Sequence, residues 1–371
     1  MVKETPLPNS TSANGKPEER RAEITIAATA TAVPPYSVGR EEVKAYMKHV
    51  FSIESSRLDA MMAVIDNSQV KQRYCIHPVD YIIRPRTLTQ ISQEYQEHAI
   101  RLGRKVATDC LEQAGMMPRE IDMVITVSCT GVMIPSLDAY LINDLGFRQD
   151  VRRLPITELG CAAGAAALAR ASDFIRAFPG SSVLVIAVEI PSLTFQRSDL
   201  SQANLISTVL FGDGAAAAVA TGRPFRGPQV VDTESYLFPH SLDAMGFDLK
   251  DNGFHIVLSK DVPQLIRDHI KGLLTTFLAR HNLNKEQVSA FILHPGGQKL
   301  LLFIEEELGL RRCDTQPSWD VLSEYGNLSS ASVLFVLHEW LTKRHMTTGE
   351  YGFMAAFGPG FSSEMLLLRW A

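Results

Sequence analysis

The sequence predicts a layered α/β fold built from two similar halves. Three observations carry that expectation. Residues 122–129, 182–189 and 289–294 are short runs, nearly all apolar, of the kind covered on both faces of a sheet. Helical stretches alternate with them, the longest over residues 88–115 with Ile91, Tyr95, Ile100 and Val106 near one face. Finally, Gly160-Cys161-Ala-Ala-Gly-Ala-Ala-Ala and Gly326-Asn327-Leu-Ser-Ser-Ala-Ser-Val share a pattern. Each runs from glycine to a polar residue to small residues that open a helix, and an apolar strand follows.

The elements follow in order. A buried first strand starts at Ile24. The 88–115 helix stops at Gly115, and a strand begins at Asp122. A short apolar run ends at Gly160, and an alanine-rich helix starts at or just after Cys161. The 182–189 strand leads to the Gly212-Asp213-Gly214 turn and a run of alanines. In the second half, a strand ends at His294, Pro295-Gly296-Gly297 turns, and a helix spans about residues 298–307. A turn at 325–332 opens the next helix, and a strand from Gly352 ends in Gly358-Pro359-Gly360. Residues 1–22 are polar and contain Pro, Gly and Ser, and are expected to be a disordered tail. The halves are expected at 23–222 and 223–371, packed as one body because no linker of unusual composition separates them.

Composition narrows the function. The chain has 371 residues, 46% hydrophobic and 21% charged, with a formal net charge of −5. That is ordinary for a globular enzyme and argues against a nucleic-acid binder, which would show a basic face. Five widely spaced cysteines with no CxxC pair suggest neither a zinc site nor a disulfide framework. A free reactive thiol fits a reducing cytosol, so a cytoplasmic location is expected. The N-terminus lacks an apolar signal core, and no apolar run approaches the ~18 residues that span a bilayer. A GxxxxGK[ST] loop and a GxSxG elbow are both missing, which removes the simplest nucleotide-triphosphatase and serine-hydrolase readings.

Cys161 is the most informative residue. At a helix N-terminus, unpaired N–H groups and the helix dipole favour an anion, so its thiol pKa is expected to be lowered. His294 and Asn327 lie at comparable strand or helix ends. Cysteine with histidine is a nucleophile with its base, and asparagine offers an N–H to a developing oxyanion. Each also has an ordinary structural role, as a buried cysteine, a satisfied core histidine or a helix N-cap. The matching positions in the two halves favour the functional reading.

The sequence resembles the type III polyketide synthases, the chalcone-synthase-like branch of the thiolase superfamily, from about Glu23 to the C-terminus. Six blocks carry the resemblance: Leu159-Gly-Cys161-Ala-Ala-Gly, Leu210-Phe211-Gly-Asp-Gly, Ser259-Lys-Asp-Val-Pro, His294-Pro-Gly-Gly, Glu324-Tyr-Gly-Asn327-Leu-Ser-Ser-Ala-Ser and Ala356-Phe-Gly-Pro-Gly-Phe. The resemblance implies a homodimer of αβαβα thiolase folds that uses acyl-CoA and malonyl-CoA, with no metal or redox cofactor. It implies that Cys161 holds the acyl chain as a thioester. His294 would keep that thiol as a thiolate and join Asn327 at the malonyl thioester carbonyl. Phe211 matches a gatekeeping phenylalanine, and Gly358, Pro359 and Gly360 match a loop shaping the cavity floor.

The resemblance also places Cys129, Thr130, Thr194, Gly246, Ile256 and Ser329 at cavity positions. Ile134 falls at a dimer-contact position. Lys71 and Arg73 fall near the CoA tunnel, where Asn67 replaces a lysine common in plant members. Cys129 and the segment from Met245 to Ile256 look like bacterial members. Gly246 and Ile256 would leave room for a long aliphatic starter, giving an alkylpyrone or alkylresorcinol. The alternatives are a phloroglucinol- or tetrahydroxynaphthalene-type synthase, or a ketoacyl synthase of the fatty-acid initiating type. A cysteine hydrolase needs no Asn327 helix and no duplicated halves. A non-enzymatic scaffold would be expected to have lost one of Cys161, His294 and Asn327.

Overall fold

The computed structural model describes residues 23–50 and 55–371. The expected tail at 1–22 lies outside the described residues. Thirteen strands are described: β1 Thr25–Ala32, β2 Tyr36–Gly39, β3 Gln72–Cys75, β4 Met123–Val127, β5 Arg152–Ile156, β6 Ser182–Glu189, β7 Gly214–Thr221, β8 Pro228–Leu237, β9 Met245–Lys250, β10 Gly253–Leu258, β11 Val288–Leu293, β12 Tyr351–Gly358 and β13 Ser362–Trp370. The helices are α1 Arg40–Val50, α2 Ser55–Asn67, α3 Val79–Ile82, α4 Leu88–Ala114, α5 Leu137–Leu145, α6 Ala163–Ala177, α7 Gln202–Leu210, α8 Val262–Ala279, α9 Gln298–Leu308, α10 Gln316–Tyr325 and α11 Ser332–Lys343.

Nine strands form one sheet in the order β11-β12-β13-β8-β1-β7-β6-β4-β5. Its two halves repeat one pairing scheme. In the first, β7 pairs antiparallel with β1 and β6, and β6 pairs parallel with β4. In the second, β13 pairs antiparallel with β8 and β12, and β12 pairs parallel with β11. β1 and β8 join the halves at a single paired position, Thr25 with Gln229.

Alternation along the strands explains the layers. In β6, Val183, Val185 and Ala187 enter one core with α6 and α11, while Leu184, Ile186 and Val188 enter another with α4 and α5. The second half does the same: Ala290 and Ile292 of β11 face α6 and α11, and Phe291 and Leu293 face α8 and α9. The result is αβαβα, with α6 and α11 sandwiched between the half-sheets. This is why every residue of β6 and β7 is buried.

The long helix α4 opens with a Thr87–Gln90 capping box and closes at Gly115 in the left-handed conformation, φ 62°. Close packing at the central layer rests on Gly164 of α6, where an added Cβ would lie 2.2 Å from the Ser330 carbonyl oxygen. That carbonyl is backbone in the turn before α11 and cannot rotate away. Gly164→Val is therefore expected to destabilise the protein by about 2 kcal/mol or more, measured by denaturant or thermal unfolding. An unchanged midpoint would contradict the close approach of the two central helices.

Candidate active site

Cys161, His294 and Asn327 all line one cavity of about 560 Å³. The first half supplies Cys161 and the second supplies the other two. Cys161 sits in the 3-10 turn Gly160–Ala162 that leads into α6. Gly160 takes φ 47°, and a Cβ there would lie 2.5 Å from Pro359. The 358–360 loop therefore closes directly on the turn that presents the thiol. His294 follows β11, with its backbone N–H bonded to the Ala355 carbonyl at 2.9 Å.

Asn327 is held by both its backbone and its side chain. Its N–H donates to Leu210 O at 2.8 Å, and its carbonyl accepts from Gly212 N at 3.0 Å. These bonds pair it with Phe211 across the two halves. Its side-chain oxygen accepts from Ser329 N at 2.8 Å and from the Ser332 hydroxyl at 3.3 Å. With Oδ1 occupied, the amide can present only Nδ2 elsewhere. Nδ2 lies 3.5 Å from Gly296 O, and the amide favours the ionised Cys161 thiol, lowering its pKa against the larger effect of burial. Asparagine thus offers the cavity a fixed N–H donor.

Burial dominates the electrostatics. It pushes the Cys161 thiol up to about 12, against smaller lowering effects of Ser329, Asn327 and the backbone. It pushes the His294 imidazole down to about 3. The expectation of a lowered thiol pKa at the helix N-terminus is therefore corrected. Desolvation outweighs the helix N-terminus in the closed cavity, and the two groups rest as thiol and neutral imidazole. The histidine is then poised to accept the thiol proton as the sulfur attacks. Its Nδ1 is buried without a hydrogen-bond partner.

A second thiol lies close by. The Cys161 thiol donates to Ser329 Oγ at 3.5 Å, and Cys129 Sγ lies 3.4 Å from the same hydroxyl. Behind Cys129 is the fully buried carboxylate of Glu189. It accepts from Cys129 N at 3.3 and 3.2 Å, from Thr130 Oγ1 at 2.8 Å and from the Ser330 hydroxyl. Burial raises the Glu189 carboxyl above the usual range, and burial together with Glu189 raises the Cys129 thiol well above its own. Residue-by-residue reading of the sequence missed Glu189 and Ser330. The signal was present, because Glu189 is the one acidic residue in the apolar run 182–189.

The structure brings Cys129, Thr130, Thr194, Phe211, Gly246, Ile256, Ser329 and Pro359 to the cavity wall, with Gly246 and Ile256 on the β9–β10 hairpin. Thr194 spends its hydroxyl on the Pro191 carbonyl at 2.9 Å. Gly358 and Gly360 flank Pro359 without lining the cavity. Ile134 does not line it either and is 93% exposed. Lys71 lies outside the lining, its ammonium 3.6 Å from Glu324. Arg73 does line it, but as a buried guanidinium that donates to the Val209 carbonyl. Asn67 also borders the cavity. The sequence reading did not anticipate the apolar wall of Val43, Met47 and Val50 from α1 with Val79, Ile82 and Ile83 around α3. Among the described residues, no group of three or more His, Cys, Asp and Glu side chains could hold a metal.

A thiol, an imidazole and a pinned amide donor lining one mostly apolar cavity, within a duplicated αβαβα fold, define a thiolase-like condensing enzyme. Comparison with known proteins makes this specific. Residues 12–224 match the N-terminal domain of chalcone and stilbene synthases, and residues 229–371 match the C-terminal domain. The chain is 35% identical over 358 residues to a putative chalcone synthase of Bacillus subtilis, covering 93% of this chain and 98% of the relative. It is 34% identical over 338 residues to a phloroglucinol synthase of Pseudomonas fluorescens, covering 91% and 96%. The crystal structure of 1,3,6,8-tetrahydroxynaphthalene synthase from Streptomyces coelicolor superposes with a TM-score of 0.90 at 34% identity, covering 93% of this chain and 99% of that one. The chain belongs to the chalcone and stilbene synthase family and is a type III polyketide synthase, an acyltransferase of the condensing type.

If His294 accepts the thiol proton, removing it strands a thiol that burial keeps protonated. His294→Ala is expected to slow alkylation of Cys161 by iodoacetamide at pH 7 by about tenfold or more, followed by peptide mass spectrometry. An unchanged rate would mean that the thiol ionises without the imidazole.

Proposed function

We propose that this protein loads an acyl group from acyl-CoA onto Cys161 and extends it with malonyl-CoA. The thiol sulfur attacks the acyl-CoA carbonyl, His294 takes the thiol proton, and that proton leaves with the departing CoA thiolate. Malonyl-CoA then loses CO₂. The electron pair of the broken C–C bond passes to the thioester oxygen, facing the N–H donors of Asn327 and His294. Donors placed where charge develops stabilise the transition state more than the ground state. The enolate carbon attacks the Cys161 thioester, which releases the sulfur and leaves a chain two carbons longer on CoA. None of these steps calls for a metal or redox cofactor. The observation that carries this reading is the convergence of Cys161, His294 and Asn327 on one cavity from separate halves.

The starter we propose is a long-chain acyl group, giving an alkylpyrone or alkylresorcinol. The apolar cavity wall supports it, as does the open space at Gly246, where no atom lies within 4 Å of an added Cβ. The second reading, condensation of malonyl-CoA or short starters alone, is favoured by the relatives named tetrahydroxynaphthalene synthase and phloroglucinol synthase. We further propose a homodimer in the cytoplasm. The exposure of Ile134 at 93% and Val132 at 55% on one loop supports a subunit contact, and no described helix is long and apolar enough to cross a membrane.

Mass spectrometry of products from purified protein tests the reading. Malonyl-CoA is supplied alone and with starters from acetyl to long-chain acyl-CoA. Pyrones or resorcinols that require the fatty starter are expected, and Gly246→Trp is expected to shift the preferred starter to shorter chains. Products from malonyl-CoA alone would move the assignment to the second reading. Condensation that persists in Cys161→Ala would overturn the nucleophile.

A further inference from the structure

We propose that Gln196 is a positioning residue that fixes the β9–β10 wall of the cavity and thereby sets the length of acyl chain the site accepts, an inference that rests on the acyl-CoA reading above. β9 and β10 form a two-stranded sheet of their own, outside the nine-stranded one. Met245, Gly246, Phe247, Ile256 and Leu258 of this hairpin line the cavity. Whatever holds the hairpin therefore fixes the space left for an acyl chain.

The two ends of the hairpin are held differently. At its base, Met245 and Leu258 pack against the core that contains α8 and α9 residues, and Ser259 N donates to Ala244 O at 2.8 Å. Toward the tip, Leu249, Lys250 and Asp251 are exposed, and hydrogen bonds take over from packing. Gln196 supplies them. Its Nε2 donates to Asn252 O at 3.4 Å and to Phe254 O at 3.2 Å, and its Oε1 accepts from Asn252 Nδ2 at 2.9 Å. Both ends of this buried amide are thus spent on the hairpin turn. An added Cβ at Gly253 would lie 3.3 Å from Nε2, so the turn carries glycine where the amide closes on it.

The backbone of Gln196 is anchored to a different stretch of the same wall. Its carbonyl accepts from Asn204 Nδ2 at 2.8 Å and from Asp199 N at 3.3 Å. Thr194 and Phe195, just before it, and Gln202, Ala203 and Asn204 of α7 line the cavity. One buried side chain therefore joins two stretches of wall. A second tie between the same segments places His255 Nδ1 3.5 Å from Asp199, while His255 Nε2 lies 2.8 Å from Asn252 Oδ1. That pair is partly open to water, where an ionic contact contributes less than a buried amide with every bond made.

Hydrogen–deuterium exchange and starter selectivity, measured on full-length Gln196→Leu, test the proposal together. Leucine is apolar and can make none of the side-chain bonds to the turn. Gln196→Glu is the second variant, because it keeps the length and the acceptor and loses both donors. In both, peptides covering residues 247–256 are expected to exchange about fivefold faster or more. With malonyl-CoA as extender, the kcat/KM of the preferred acyl-CoA relative to one about four carbons longer is expected to fall about threefold or more, because a loosened wall no longer excludes the longer chain. Equal losses for every chain length would mean a purely structural role and would overturn the proposal. An unchanged length profile, or unchanged exchange of the hairpin, would overturn it too. A wild-type protein that condenses no acyl-CoA starter would instead overturn the reading on which the inference rests, and the exchange measurement would still decide whether Gln196 holds the hairpin.

Discussion

The site depends on a buried carboxylate that ties the two halves together. Glu189 ends β6, which like β7 is buried along its whole length, and is wholly shielded from water. It collects hydrogen bonds from Cys129 and Thr130 after β4 and from Ser330 in the turn that follows Asn327. A buried carboxylate is tolerable only when such donors surround it. Those donors come from both halves, so satisfying Glu189 sets the position of the Asn327 turn against the cysteine-bearing layer. The 2.2 Å approach available at Gly164 and the Phe211–Asn327 pairing act on the same junction. Three independent constraints thus converge where the halves meet.

The same enclosure sets the chemistry. A helix start would favour a thiolate in water, but burial beneath Pro359 in a mostly apolar cavity strips solvent from the sulfur, and that cost is larger. The histidine feels the same penalty with the opposite sign of charge. Burial holds each group neutral, so charge separation is expected to need a proton transfer between the two. Asn327 escapes this balance because an amide carries no net charge. Its orientation is settled by Ser329 and Ser332, and its donor stays available whatever the protonation of its neighbours.

Much of this was legible in the sequence. The β4, β6 and β11 runs and the α4 helix follow from periodicity and end signals. The Gly-Cys and Gly-Asn repeat pointed to duplicated halves and to two of the three central side chains. Other features were hidden because they arise only in three dimensions. Strand β13 and its pairing with β8 depend on contacts remote in sequence. The role of Glu189 depends on donors 59 to 141 residues away. The resemblance set Lys71 near the CoA tunnel, whereas its ammonium lies 3.6 Å from Glu324 and outside the cavity lining. The sign of the Cys161 shift was missed for a related reason: the helix N-terminus is visible in the sequence, and the depth of burial is not.

The central claim is that two halves assemble one thioester site around Cys161, with the neighbouring Cys129 kept inert. Brief incubation with acyl-CoA, acid quench and peptide mapping by mass spectrometry tests it most directly. The account predicts a single acyl adduct on the peptide containing Cys161, lost in Cys161→Ala with no transfer of label to Cys129. An adduct on Cys129, or on neither cysteine, would contradict it.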